Sequence, residues 1–279
     1  MDTTQQQNNL SAPHTLNQLG RTRYGRILYN KHDRFIGRSI KLYGEYSEEE
    51  TALFRQLCRT GNTVVEVGAN IGVHTLPLAR FVGNSGHIYA FEPQRLVFQT
   101  LCANMALNSI TQASCFNCGA GATKTTLKIN ELNYHKPANF GGYAIQPAET
   151  GIPLSIVRLD DMLGDKKVHF LKLDVEGMEL EVLMGAEQII KNSQPLIYLE
   201  NDRINKSRQL IEHLWEKGYR LYWHKPRLYN PDNFFSNPEN VFGNIVSINM
   251  LAIPNTLSVN VSGFSRVTDS GFHPMDKTK

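Results

Sequence analysis

A short apolar strand that ends on an acid and runs into glycines constrains this chain more than any other feature. The segment is Val64-Val65-Glu66-Val67-Gly68-Ala69-Asn70-Ile71-Gly72, and Val73 to Val82 reads as a helix behind it. Glycine has no Cβ, so such a turn lets bare backbone approach a ligand. The following helix aims N–H groups at the same place. Strand, glycine turn and helix together predict a nucleotide-type cofactor site.

The 279 residues suit one large domain with additions, and the 41% hydrophobic content is enough for a core. A net charge of +3 is too small to argue for a nucleic-acid partner. The opening MDTTQQQNNLSAP lacks the apolar stretch of a secretion signal, and no run approaches the length of a membrane span. A cytoplasmic enzyme is the expectation, with no membrane partner and with a homodimer left open. Cys115 and Cys118 match a C-x-x-C spacing, but no second pair completes a zinc site. All four cysteines, with Cys58 and Cys102, are expected as reduced thiols.

Four regions are expected along the chain: a disordered tail over 1–20, a basic arm and helix capping the site over 21–60, the catalytic domain over 61–255 and a C-terminal tail over 256–279. The arm carries Arg21, Arg23, Arg26, Lys31, Arg34, Arg38 and Lys41 against Asp33 alone, and reads as a solvated face or as a lid for an acidic substrate. Ser47 and Glu50 resemble a capping box for a helix running to about Cys58. From Asn62 onward strands and helices alternate. Strands are predicted at Val64–Val67, His87–Phe91, Ser114–Cys118, Val168–Leu173 and Leu196–Leu199. Helices are predicted at Val73–Val82, Gln94–Asn108, Met178–Lys191 and Ile204–Lys217. That rhythm implies a parallel sheet with helices on both faces and a ligand at the strands' C-terminal ends. His224 to Gly243 is a long loop whose Phe234, Phe235 and Phe242 should dock, and Ile245 to Ile253 reads as a last strand.

The turn lacks the second and third glycines of the dinucleotide fingerprint G-x-G-x-x-G. Its strand also ends in Glu66, whose charge would repel a pyrophosphate. S-adenosylmethionine carries no phosphate, and its sulfonium and amino groups are cationic, so it suits an acidic first strand better than NAD. The next strand ends in Phe91-Glu92-Pro93, where a carboxylate can accept both hydroxyls of a ribose. In Lys172-Leu173-Asp174-Val175-Glu176 three charges alternate with apolar residues at a strand end. Burying them without partners would be costly, so a ligand, a metal or mutual pairing is expected.

Taken together, EVGANIGVHT, FEP and KLDVEGMELEVLMGA resemble the FkbM family of S-adenosylmethionine-dependent methyltransferases, over about Arg23 to Met250. The resemblance implies a class I methyltransferase fold, an α/β, Rossmann-like, seven-stranded and mostly parallel sheet with helices on both faces. It implies O-methylation of a hydroxyl on a sugar, glycan or natural product. By the same resemblance Glu66, Gly68, Asn70, Gly72 and Glu92 hold the cofactor, and Asp174 and Glu176 lie near the transferred methyl. Ala69, His74, Thr75 and Pro93 adjoin these residues, while Asn117 and Ala120 are placed near the adenine by position only.

A hydroxyl acceptor calls for a base, and Asp174, Glu176, His74 and His224 are the candidates. Asp174, Glu176 and His224 are assigned the catalytic role, and His74 a cofactor or structural one. Glu200-Asn201-Asp202-Arg203 should meet the substrate. A divalent metal on Asp174, Glu176, Glu200 and Asp202 is the less favoured alternative, because their spacing is no metal signature, and no metal ligand is assigned. N-methylation, an NAD-linked oxidoreductase and a non-catalytic binding module on the same fold remain as rival functions.

Overall fold

The structure, a computed structural model, describes residues 15–276; most of the expected N-terminal tail and the last three residues lie outside the described residues. The chain begins with a hairpin of β1 (Asn17–Thr22) and β2 (Gly25–Asn30), then α1 (Ile36–Tyr43) and α2 (Glu48–Leu57). Strand β1 therefore starts inside the stretch expected to be disordered. Ser47 does precede α2, but it lies in the left-handed region at φ 44° and makes no capping bond, so the predicted capping box is not formed.

The alternating part follows as β3 (Thr63–Val67), α3 (Thr75–Val82), β4 (His87–Phe91), α4 (Arg95–Leu107) and β5 (Ala113–Phe116). A side sheet of β6 (Gly119–Ala120), β7 (Thr125–Ile129) and β8 (Ile152–Val157) interrupts the alternation after β5. Helix α5 (Leu159–Leu163) leads to β9 (Phe170–Leu173), α6 (Glu179–Met184), α7 (Glu187–Ser193), β10 (Leu196–Glu200) and α8 (Ile204–Glu216). The expected single helix over Met178–Lys191 is broken at Gly185. A Cβ built there would lie 2.1 Å from the Gly121 carbonyl oxygen, so close backbone approach explains the break. The chain ends with β11 (Tyr219–His224), β12 (Asn249–Pro254) and the two-residue β13 (Ser265–Arg266).

The main sheet runs β13-β11-β12-β10-β9-β3-β4-β5. Strands β10, β9, β3, β4 and β5 are parallel neighbours, whereas β12 is antiparallel to both β10 and β11. This is the seven-stranded class I methyltransferase order with a short eighth strand on the edge, and the sheet is mixed rather than purely parallel. Chain progression reverses between β3 and β9, the switch point where ligands bind in such sheets.

Strand residues alternate between the two faces. Val65, Val67, Leu171 and Leu173 join one core with α5 to α8, while Val64, Ile88 and Phe170 pack with α2, α3 and α4 on the other face. Each fully buried large aliphatic is worth about 1.5–3 kcal/mol, and these two layers fix the strand ends. The loop after β11 docks as expected: Phe242 is buried beside Tyr43 and Leu228. The last strand begins only at Asn249, because Ile245 and Val246 stay exposed. The tail after Asn255 returns to the sheet, where β13 pairs with β11 and buried His273 meets the Asn201 carbonyl at 2.8 Å.

Candidate functional site

A cavity of about 280 Å³ opens at the C-terminal ends of β3, β4, β9 and β10. Of the residues expected from sequence, Glu66, Gly68, Ala69, Asn70, His74, Glu92, Pro93, Ala120, Asp174 and Glu176 line it. Gly72, Thr75, Asn117 and His224 do not.

The glycine turn works differently from a phosphate cradle. Gly68 and Ala69 both donate their N–H groups to the Phe91 carbonyl, Asn70 donates to Glu92 Oε2 at 2.9 Å, and Gly72 donates to Ala69. Ile71 N–H is taken by the Asn70 side chain. These donors are spent inside the protein, so the turn offers no nest for a pyrophosphate. Gly68 sits at φ +82°, and a Cβ on it would fall 1.8 Å from the Asp174 carbonyl oxygen. The glycine is thus required by the tight junction of β3 with β9, not by a ligand. Gly72, at φ +89°, faces Leu101 and Met105.

Glu92 is buried, and its two oxygens are aimed by Asn70 N–H and by Gln94 N–H at 2.8 Å. Burial pushes its carboxyl up to about 7 against those two bonds. Asn117 donates to the Glu92 and Pro93 carbonyls and so fixes this corner from outside the cavity.

Opposite Glu92, Lys172 stands beside Glu66 and Asp174, with Nζ 3.6 Å from Glu66 Oε1 and 3.4 Å from Asp174 Oδ2. Burial pulls the ammonium down, but Asp174, Glu66 and Glu50 outweigh it and hold Lys172 above its ordinary range. Thr75 donates to Glu66 Oε2 at 2.7 Å, which is how a residue outside the cavity serves it. His74 is buried, and its pKa is held well below the usual value by burial and by Lys172, so the imidazole is neutral.

Past Asp174 the lining becomes a second acidic group. Glu176, in the left-handed region at φ 56°, is bound by Arg203 at 2.6 Å. Burial and then Asp174 push Glu176 up to about 7. Glu200, at the end of β10, lies well above its normal range through burial and the nearby Asp174 and Glu176. Asp202 also lines the cavity, as expected of this segment, and pairs with Arg203.

Several lining groups were not foreseen, three polar ones among them. Tyr46 and Glu50 come from the N-terminal segment, and Asn249 opens β12. Asn249 Nδ2 donates to Glu50 Oε1 at 2.9 Å and to Tyr198 Oη at 2.7 Å. His224 lies beyond Tyr198, its Nδ1 2.8 Å from Tyr198 Oη and its ring against Phe264. Burial takes its pKa down to about 4. The expected catalytic histidine therefore supports Tyr198 and does not reach the cavity. The sequence signal available for Glu50 was only its place on the buried side of a helix.

The donor set suits S-adenosylmethionine. Carboxylates Glu92, Asp174 and Glu176 favour hydroxyls and positive charge, and the internally paired turn disfavours phosphate. Glu92 would hold a ribose, Asp174 a cationic group, and Ala120 with Pro93 an apolar wall. Among the described residues no helix is long and apolar enough to cross a membrane. The four cysteines are free, with Cys58 and Cys118 buried.

Comparison with known proteins gives a consistent picture. The family model described as a methyltransferase FkbM domain matches residues 66–221, more than half of the chain, starting at the acid of β3. Methyltransferase 1 of Beauveria bassiana (strain ARSEF 2860) is 31% identical over 146 residues, covering 44% of this chain and 58% of its own length. Methyltransferase sdnD of Sordaria araneosa is 27% identical over 196 residues, covering 57% of this chain and 73% of its own. Thus the match spans less than two thirds of the first relative. The solved structure of a methyltransferase FkbM from Methylobacillus flagellatus KT is similar with a TM-score of 0.46 at 17% identity, covering 72% of this chain and 50% of that one.

Proposed function

The chain belongs to the methyltransferase FkbM family, and from that premise we propose that it moves the methyl group of S-adenosylmethionine to a hydroxyl oxygen on a sugar or a polyhydroxylated natural product. S-adenosylmethionine supplies an electrophilic methyl carbon on a sulfonium. What supports the reading is that one cavity is lined by two kinds of group, which we assign to two halves. Glu92 and the turn at Gly68 form a half suited to a cationic nucleoside. Tyr46, Glu50 and Asn249 form a half of hydrogen-bonding groups suited to hydroxyls.

Asp174 lies where the halves meet. Its side chain is 42% exposed, and Lys172 holds one of its oxygens. Glu176 is engaged by Arg203, so Asp174 is the better placed carboxylate to take a hydroxyl proton. The acceptor oxygen then bonds to the methyl carbon as the carbon–sulfur bond breaks, with both electrons of that bond leaving on sulfur. The chain's contribution is alignment of oxygen, carbon and sulfur, which is worth several kcal/mol in the barrier.

Titration calorimetry with S-adenosylmethionine, S-adenosylhomocysteine and NAD tests the donor half. Incubation with methyl-labelled donor and a panel of sugars and hydroxylated natural products tests the acceptor half. Binding of NAD alone would overturn the reading. An Asp174→Asn variant should lose about two orders of magnitude or more in turnover at saturating donor.

A further inference from the structure

We propose that Asp174, Glu176 and Glu200 form a divalent-cation site on the acceptor side of the cavity, for an oxygen-seeking ion such as Mg²⁺, Mn²⁺ or Ca²⁺. One ligand oxygen from each residue lies within 4.8 Å of the others. Two ligands on opposite sides of Ca²⁺ sit about 4.8 Å apart at a bond length of about 2.4 Å, whereas Mg²⁺ and Mn²⁺ need a slightly tighter group. An all-carboxylate set selects such hard ions over zinc or copper.

Acidic groups often gather without an ion, and here two of the three have cations already. Arg203 holds Glu176 Oε2 and Lys172 holds Asp174 Oδ2. Each of those carboxylates keeps a second oxygen. Glu200 is the separate observation. Its Oε2 is buried and receives no hydrogen bond, and Arg203 acts on the carboxyl through space without a salt bridge among the described residues. A buried carboxylate oxygen left so is costly unless something positive or proton-bearing meets it. Asp202 lies alongside and adds to the same negative charge. Lys172 and Arg203 are the only side chains that form salt bridges with Asp174, Glu176 and Asp202 among the described residues.

The ion's place beside Asp174 deepens the methyl-transfer reading and rests on it for its role. There it would draw vicinal hydroxyls of an acceptor into its free positions and lower their pKa. Its binding does not depend on that reading.

The test uses the full chain, stripped with a chelator and titrated with Mn²⁺ alone, free ion being followed by paramagnetic resonance. One saturable submillimolar site per chain is expected. Glu200→Gln and Glu176→Gln should each weaken it by about tenfold or more, since even outer-sphere changes cost that much. Metal-free melting curves show whether each variant is folded. Absence of saturable binding up to several millimolar overturns the site, as does binding undiminished in both variants. S-adenosylhomocysteine is titrated in parallel without metal. If it binds and Mn²⁺ does not, this inference alone fails. If Mn²⁺ binds and the nucleoside does not, the cation site stands and the donor reading falls.

Discussion

Lys172 and Glu66 are cross-strand neighbours on β9 and β3, fully buried, with their charges 3.6 Å apart. The pair joins the two strands that flank the switch point, so the same contact that stabilises the sheet sets the acidic wall of the cavity. Removing the cation leaves Glu66, Asp174 and Glu50 without their common partner. Lys172→Met should cost about 3–5 kcal/mol in denaturant unfolding. A loss below about 1 kcal/mol would show that these acids are protonated in the native state.

Glu92 should govern donor affinity without being needed for the fold. Charge-assisted hydrogen bonds are worth about 1.5–3 kcal/mol, so Glu92→Gln should weaken S-adenosylhomocysteine by roughly ten- to a hundredfold in calorimetry. Glu92→Ala should in addition lower stability, because the N–H groups of Asn70 and Gln94 lose their acceptor.

The two glycines of the turn should respond unequally. Gly68→Ala sets a Cβ against immovable backbone at φ +82°, and should cost more than about 3 kcal/mol. Gly72→Ala meets only the ends of Leu101 and Met105 at 2.9 Å, which can shift, so its loss should be smaller. Paired thermal melts of the two variants decide the order.

Protonation should set opposite trends for stability and binding. Glu92, Glu176 and Glu179 rise from 4.5 to about 7 on folding, chiefly through burial. The native state then binds more protons than the unfolded chain between those values, so the free protein should lose stability as pH climbs from about 4.5 to about 7 and level off above. A cationic donor needs the ionised carboxylates, so its affinity should grow through the same interval. Melting curves and calorimetry at pH 5.5 and pH 8 provide the check; affinity that falls with rising pH would contradict a cation-binding pocket.

A buried acid is one of the ties between the arm and the long loop. Glu45 is buried and accepts from Arg23 at 2.6 Å, Asn230 at 2.8 Å and Phe234 N–H at 2.9 Å. Glu45→Ala should raise amide exchange over residues 225–245 while leaving β3 and β4 protected, as measured by mass spectrometry. Uniform protection would mean that Phe242 and Tyr43 suffice to anchor the loop.

Residues at strand ends are legible in the sequence. Glu66, Glu92 and Asp174 each close an apolar run, and period-two alternation puts them beside one cavity. Lys172 was legible as an anomaly in a buried strand. Tyr46 and Asn249 were not, because nothing local marks a group whose partner is remote in the chain. Ser47 misled by matching a capping pattern that its backbone, at φ 44°, does not adopt. His224 misled for another reason: the end of β11 does approach the site, but Tyr198 intervenes and takes the imidazole as its partner.

Glu50 and Asn249 meet across 199 residues of sequence. The glycine turn and Glu92, by contrast, stand within one βαβ unit. A nascent chain could thus shape the donor half early, from neighbours, while the acceptor half waits until β12 has been made and brought back to α2. A chain halted just before Asn249 would carry every motif by which its family is recognised and still lack the residue that ties β12 to α2 at the cavity.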